Sequence, residues 1–476
     1  MEFRYKDLIE LFSEPYNSES LNDSVVLDNV HFDSRKILKS GIFIALEGES
    51  ENGAIYCSDA LSNGASAIVA GLSSKKLIEN QNIVSVPIFY VDDPLKAFAE
   101  LAIFARNKYQ GHVTAVIGSA GKTTTKNFLS SAANVSETNV TYASFNNETG
   151  VPLTVCNFDI QVDRAIVELG ESHFGDIDYV TKIAKPNILV VTNVGSAHLE
   201  FLGDKVGVAK TLNEAVVLMD VESFIVVPED VEHADVLLKN NKAQLIVIKQ
   251  VDTLPETYDE NEFYIYDVLT NKDLTHQAKF SFRGKETVCD IPLLGKHFVL
   301  NAALAVCACV IAGDDIEVAA KLISNTESEG HRMRVAQKGS ITLFDDCYNA
   351  NETSMKACIG ALSMYAEKND LKSVIIMGKM AELGAASPGS HKEVIEYAFN
   401  AGINEIICIG EDMKNGLMIS SQKERVIYYD TVSECVEELD KYIKENTVVA
   451  VKASRGPNPA RPLLLDVVES IETLMV

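Results

Sequence analysis

A chain of 476 residues is long enough for about three domains, and 47% apolar residues are ample for packed cores and too many for a disordered chain. A formal charge of −26 argues against nucleic acid or an anionic membrane as the main partner, so any anion site has to be a local basic island in an acidic surface. The nine cysteines include no Cys-x-x-Cys pair and are odd in number, which argues against a disulfide framework and for a reducing, cytoplasmic setting. The N-terminus carries no apolar signal core, and no apolar run approaches the roughly 18 residues of a membrane span.

Residues 1–109 alternate short apolar strands with helices. The N-terminus opens a polar amphipathic helix, and strands are expected over 42–46, 67–70 and 88–91. Asp33-Ser34-Arg35 precedes the first strand. A helix from 94 to about 109 closes this unit, and Gln110-Gly111-His112 reads as a linker. From 113 a long α/β run follows, with strands over 113–117, 164–168, 187–192 and 223–227. Helical stretches between them imply a parallel sheet covered on both faces. Residues 250–290 are polar and less regular, as in a small antiparallel patch. An Ala-rich helix from about 301 to 312 carries Cys307 and Cys309 as core residues. Near 331 a third unit begins, with strands over 341–344, 373–377, 405–409 and 448–452 and a helix over 390–400, the dinucleotide-fold kind of alternation. The expectation is α/β throughout, in three domains spanning 1–109, 110–330 and 331–476.

The stretch with the most chemistry follows the strand at 113–117. Gly118-Ser119-Ala120-Gly121-Lys122-Thr123-Thr124 is a glycine turn that opens a helix. Backbone N–H groups and a helix N-terminus face an anion there, a Lys reaches β/γ-phosphate oxygens, and a Thr hydroxyl ligates magnesium. The general P-loop pattern wants another Gly at Val116, so the match is to the shorter Gly-x-x-Gly-Lys-Thr-Thr. Other polar signals stand at strand ends, where open α/β sheets hold ligands. Glu168 ends a strand and reads either as a magnesium ligand or as a solvated charge. His198 reads as a ligand or as a structural histidine. The turn over 143–152 offers polar groups to a γ-phosphate.

Taken in order, these motifs resemble the Mur ligases, the ATP-dependent ligases that build the peptidoglycan peptide, and most of all the branch that adds D-alanyl-D-alanine. The resemblance runs through Asp33-Ser34-Arg35, Gly41 to Gly48, the phosphate loop, Asn146 to Thr154, Glu168-Leu169-Gly170, Ala197-His198-Leu199-Glu200, Gly295-Lys296-His297, Asp345 to Asn351, Met377 to Gly384, and Lys452-Ala453-Ser454-Arg455. It implies a central P-loop domain that binds ATP, an N-terminal domain for a UDP-sugar-type carboxylate, and a C-terminal Rossmann-like domain on the amine side. The implied reaction passes the γ-phosphoryl of ATP to a carboxylate, and an amine then attacks the acyl phosphate.

By that resemblance Lys122 holds the β/γ phosphates among Gly118, Ser119, Gly121, Thr124 and Asn147. Thr123 and Glu168 ligate one Mg²⁺, and His198 a second. His297 and Asn301 meet the adenine, and Arg332 and Asp346 contact the nucleotide from the third domain. Asn349, Lys452, Ser454 and Arg455 line the closing face, with Lys452 and Arg455 close to the chemistry. Ser34, Arg35, Ala45 and Leu46 hold the carboxylate substrate. The implied substrates are a UDP-N-acetylmuramoyl tripeptide and D-alanyl-D-alanine, and the implied setting is a cytoplasmic monomer.

Several positions depart from the family pattern. Ala120 stands for an Asn, Asn52-Gly53-Ala54 for Asp-Gly-His, and Lys379 for an Asp, while a Pro-rich stretch over 456–462 replaces a Met-rich helix start. The lysine that the family carbamylates to hold the second magnesium falls on Leu212. Either Lys210 takes its place through a local shift, or the second metal is held differently or lost. Two other functions stay open: the same chemistry on another acid and amine in a specialised pathway, and a nucleotide-binding pseudo-ligase.

Overall fold

The structure, a computed structural model, describes every residue except 23, 49–50, 84, 134–136, 457–461 and 476. Most of the Pro-rich departure over 456–462 therefore lies outside the described residues. The chain forms two compact units. One comprises Met1–Ala115, Val135–Gly170 and Gly175–Asn187, and the other Val116–Asn134, Glu171–Phe174 and Ile188–Val476. The division falls within the strand His112–Ile117.

In the first unit, strands Asn29–His31, Gly41–Ala45, Ala65–Gly71 and Ile88–Val91 form a parallel sheet in chain order. Gly41–Ala45 is buried at every position, as a parallel strand covered on both faces requires. The following helix, Pro94–Lys108, starts cleanly because Asp93 accepts from Leu95 N–H and Lys96 N–H and Pro94 fills the first turn. Its end is not a linker. Arg106 donates to the carbonyls of Ala184 and Lys185, both at 2.7 Å, and the Tyr109 hydroxyl donates to Val162 O at 2.7 Å. A Cβ at Gly111 would lie 2.7 Å from Asp163 O, so Gly111 is needed for a close backbone approach and His112 already belongs to the strand.

In the second unit, strands Ile188–Val191, Phe224–Pro228, Gln244–Gln250 and Glu262–Thr270 run parallel. His276–Phe282 and Lys285–Ile291 extend that sheet as an antiparallel edge. The polar segment over 250–290 is thus part of the main sheet and not a separate patch. Its apolar face is easily overlooked in the sequence, because Phe263, Phe280 and Phe282 come together only across strands. The Ala-rich helix begins at His297 and runs to Ile311, packing on the helix Lys122–Ala132 that follows the phosphate loop.

The last sheet has the order Arg334–Lys338, Ile341–Asp345, Thr447–Lys452, Lys372–Met377, Glu405–Ile409, Ile427–Tyr429. All neighbours are parallel except the first hairpin. Thr447–Lys452, last in sequence, is inserted between two earlier strands. The register therefore aligns Asp345 with Val451 and Met377 with Lys452, and three strand ends carrying polar motifs lie side by side. The hairpin strand, largely exposed, and the half-buried edge strand Ile427–Tyr429 are short and unmarked in the sequence pattern.

Candidate active site

The phosphate loop is shaped by two glycines. Gly118 has φ +131° and Gly121 has φ +79°, and a Cβ at Gly118 would lie 2.9 Å from Asn193 O. Gly121 then caps the helix Lys122–Ala132. The loop is braced from the next strand end. Asn193 Oδ1 accepts from Ala120 N–H and its Nδ2 donates to Ala120 O, each at 3.1 Å, while the Thr192 hydroxyl donates to the same carbonyl at 2.6 Å. The Ser119 hydroxyl accepts from Gly195 N–H at 2.9 Å. Asn351, which caps the helix Glu352–Asn369 by accepting from Ser354 N–H, donates its Nδ2 to Ser119 O at 3.2 Å.

Lys122 extends back over this loop. Its ammonium donates to the Gly118 carbonyl and lies 3.3 Å from Glu171 Oε2, a carboxylate whose side chain is fully buried. Thr123 is buried in the first turn of the helix and Thr124 is half-buried. The Asn301 amide packs on Gly121, with Nδ2 3.1 Å from where a Cβ would stand, so it lies against the loop itself. His297 is exposed at the start of its helix, its ring tilted against Phe298 with centroids 4.0 Å apart.

Glu168 belongs to the first unit, buried at the end of strand Arg164–Glu168. Asn146 donates to its Oε1 at 2.8 Å, and the Thr141 hydroxyl accepts from Glu168 N–H at 3.1 Å. The neighbouring Asn147 is exposed, and its Oδ1 accepts from Gly150 N–H, which stabilises its own turn.

His198 has a left-handed backbone (φ +53°) and caps the short helix Leu199–Leu202. Its Nδ1 lies 2.5 Å from Glu382 Oε2, and Glu200 N–H donates to Glu382 O at 3.0 Å. The close pairing with His198 holds the Glu382 carboxyl below the usual carboxylate range. A ring nitrogen engaged in this way leaves Nε2 as the one for a ligand. On the regular helix Lys205–Leu218, Lys210 is exposed and Leu212 fully buried. No local shift brings Lys210 to the place of Leu212.

At the aligned strand ends of the last sheet, Lys452 Nζ lies 2.6 Å from Asp346 Oδ2 and donates to Asn349 O at 3.1 Å. Burial pushes the Asp346 carboxyl up while the Lys452 ammonium pulls it back. Arg332 stacks on the Tyr348 ring at 3.7 Å and Arg455 faces the same ring at 5.1 Å. Ser454 is buried, accepting from Ala381 N–H at 2.9 Å and donating to Ala350 O at 3.0 Å; this hydroxyl braces the loop and has no proton left to donate to a ligand. The buried Asp345 binds His331 at 2.6 Å, Arg334 at 2.9 Å and the Cys347 thiol at 3.2 Å. The Arg334 guanidinium thus already supplies Asp345 with a cation beside His331 and Cys347.

In the first unit, Ser34 is buried in the turn Ser34–Lys36, whose N-cap is Asp33. Arg35 is 85% exposed and folds back to Asp33 with two side-chain hydrogen bonds at 2.9 and 2.8 Å. Ala45 ends its strand, and Leu46 O accepts from Gly53 N–H at 2.8 Å. A Cβ at Gly53 would lie at that same distance from Leu46 O, which explains a glycine beside Asn52 and Ala54.

Residues 116–309 match the Mur ligase middle domain, and residues 331–455 match the Mur ligase, glutamate ligase domain. The chain belongs to the Mur ligases. This Mur ligase is 29% identical over 456 residues to the UDP-N-acetylmuramoyl-tripeptide–D-alanyl-D-alanine ligase of Bacillus subtilis, covering 94% of each chain. Its fold is that of MurF from Acinetobacter baumannii, with a TM-score of 0.85 at 22% identity over 100% of this chain and 99% of that one. It also resembles the MurF ligase of Thermotoga maritima solved in complex with ADP, with a TM-score of 0.76 at 24% identity over 94% and 99% of the two chains. These similarities bear out the three-domain Mur ligase architecture expected from the motifs.

Residues of this Mur ligase that touch the motif residues without being singled out from the sequence include Asn146, Glu171, Asn193, Asn351 and Glu382. Each lies within or beside a quoted motif, so position alone was the available signal. None of the nine cysteines is disulfide-bonded, and all are buried. Among the described residues, no helix is long and apolar enough to cross a membrane.

Proposed function

We propose that this Mur ligase joins the amine of D-alanyl-D-alanine to the carboxylate of a UDP-N-acetylmuramoyl tripeptide at the expense of ATP, as a cytoplasmic monomer in peptidoglycan precursor synthesis. The observation that carries the chemistry is the glycine loop with Lys122 over Gly118 O, braced by Asn193 and Asn351. A loop held rigid by side chains outside it presents its N–H groups and ammonium without reorganising. The full-length similarity to D-alanyl-D-alanine ligases supports the substrates.

In this reading Lys122 neutralises the transferring phosphoryl group, with Gly118, Ser119, Gly121, Thr124 and Asn147 around the phosphates. The Thr123 hydroxyl and Glu168 carboxylate are the hard oxygen donors that Mg²⁺ takes, and His198 Nε2 is available to a second ion. Bound magnesium would draw charge from the phosphate oxygens. His297, Asn301, Arg332 and Asp346 serve the nucleotide, and Asn349, Lys452, Ser454 and Arg455 form the amine side, with Ser454 acting through the loop it braces. Ser34, Arg35, Ala45 and Leu46 serve the UDP-peptide. Domain limits at 109/110 and 330/331 go with this assignment. Alignment and charge neutralisation suffice, because the acyl phosphate formed on the substrate is itself the activated species.

The same chemistry on another acid and amine is the second reading, favoured by the buried Leu212 where the family pattern has a lysine. The deciding experiment is phosphate release from ATP and Mg²⁺, with and without the tripeptide and D-alanyl-D-alanine. Release that needs both, with the amide product seen by mass, is expected. ATP binding without release in their presence would overturn the cell-wall assignment in favour of other substrates.

A further inference from the structure

A fully buried carboxylate beside a phosphate-binding lysine is an electrostatic contradiction. Glu171 is that carboxylate. Its Oε2 lies 3.3 Å from Lys122 Nζ, and its Oε1 is buried with no hydrogen-bond partner among the described residues. The segment that carries it is anchored, because the His173 ring packs on Phe201 with centroids 4.3 Å apart. Lys122 has two internal acceptors, the Glu171 carboxylate and the Gly118 carbonyl.

Nucleotide phosphates entering this loop compete with Glu171 for the same ammonium. If they take it, a buried carboxylate is left without its counter-ion next to several anionic oxygens, and removing one partner of a buried pair is strongly unfavourable. The bare Oε1 is a hard oxygen acceptor of the kind a divalent cation takes. We propose that Glu171 makes nucleotide binding conditional on a divalent cation: the cation neutralises the carboxylate that the phosphates strip of Lys122. The inference rests on the phosphate-loop reading above, and it gives the loop a requirement for metal at the binding step, before any chemistry.

The test is calorimetric titration of the full chain with ADP, once with Mg²⁺ and once with a chelator, for the wild type and for Glu171→Gln. For the wild type, Mg²⁺ is expected to tighten ADP binding by about tenfold or more. Glu171→Gln is expected to bind ADP in chelator about tenfold more tightly than the wild type and to lose most of the Mg²⁺ dependence, while Glu171→Asp keeps it. Should the Gln variant not fold, Glu171→Ala gives the same comparison. Wild-type affinity equal in the two conditions, or a neutral variant that matches the wild type in both, would overturn the inference. Neither ligase substrate is present, so wild-type ADP binding without metal dependence sinks this inference alone, whereas no ADP binding at all sinks the phosphate-loop reading too.

Discussion

Asn193 grips the backbone of Ala120 at two points, accepting its N–H and donating to its carbonyl, each at 3.1 Å. Ala120 has no polar side chain of its own, so the shape of the phosphate loop is imposed by a residue from the neighbouring strand end. Asn193→Ala is expected to cost about 1–2 kcal/mol of stability through the unpaired backbone groups. ADP affinity should fall about tenfold, equivalent to ~1.4 kcal/mol of lost preorganisation. Asn193→Asp should fare no better, because it keeps the acceptor but turns a second oxygen on the Ala120 carbonyl. Chemical denaturation and ADP titration check both, and an Ala variant that binds ADP like the wild type would contradict the bracing role.

Lys122→Ala should abolish ATP turnover and lower stability without unfolding the chain, because buried Glu171 loses its counter-ion. Among the described residues the side chain is held by Gly118 O and Glu171, so its loss removes the ammonium without opening a core cavity. Circular dichroism and phosphate release are the measurements. Turnover retained in this variant would contradict the assignment of the loop.

Lys210→Ala should leave turnover within about twofold of the wild type, since surface substitutions away from special features are close to neutral. Leu212→Ala, by contrast, should cost about 2–5 kcal/mol by emptying a fully buried site. A large loss of turnover on Lys210→Ala, with normal stability, would instead assign that lysine a metal-holding role.

His391 supplies a pH dependence of known sign. It is buried, its Nε2 accepts from Met380 N–H at 2.9 Å, and its Nδ1 faces Ser387 O at 2.7 Å, so it is held as the neutral ring. Burial pushes its pKa below the ordinary value of 6.5. The unfolded chain then binds a proton that the folded one does not, so this stability is complete above 6.5 and is lost as the pH falls toward the folded value. Urea unfolding should show stability falling between about pH 7.5 and pH 5. His391→Gln, which keeps an acceptor for Met380, should flatten part of that slope. An unchanged slope in the variant would contradict the assignment.

The family and the strand–glycine turn–helix order were legible in the amino-acid sequence. Apolar periodicity reports burial and backbone state locally, and only glycine readily adopts the conformations found at Gly118 and Gly121. The roles given to the motif residues come from the resemblance. What they touch was decided by the tertiary structure alone. Asn193 reaches Ala120 across 73 residues and Asn351 reaches Ser119 across 232. The insertion of Thr447–Lys452 between Ile341–Asp345 and Lys372–Met377 is what brings Lys452 to Asp346. It also buries Ser454 as a brace where the sequence suggested a substrate contact. Local pattern constrains backbone conformation and burial, whereas which donor meets which acceptor depends on the packing of segments far apart in the chain. For that reason a buried carboxylate on Lys122 could be found only in the folded molecule.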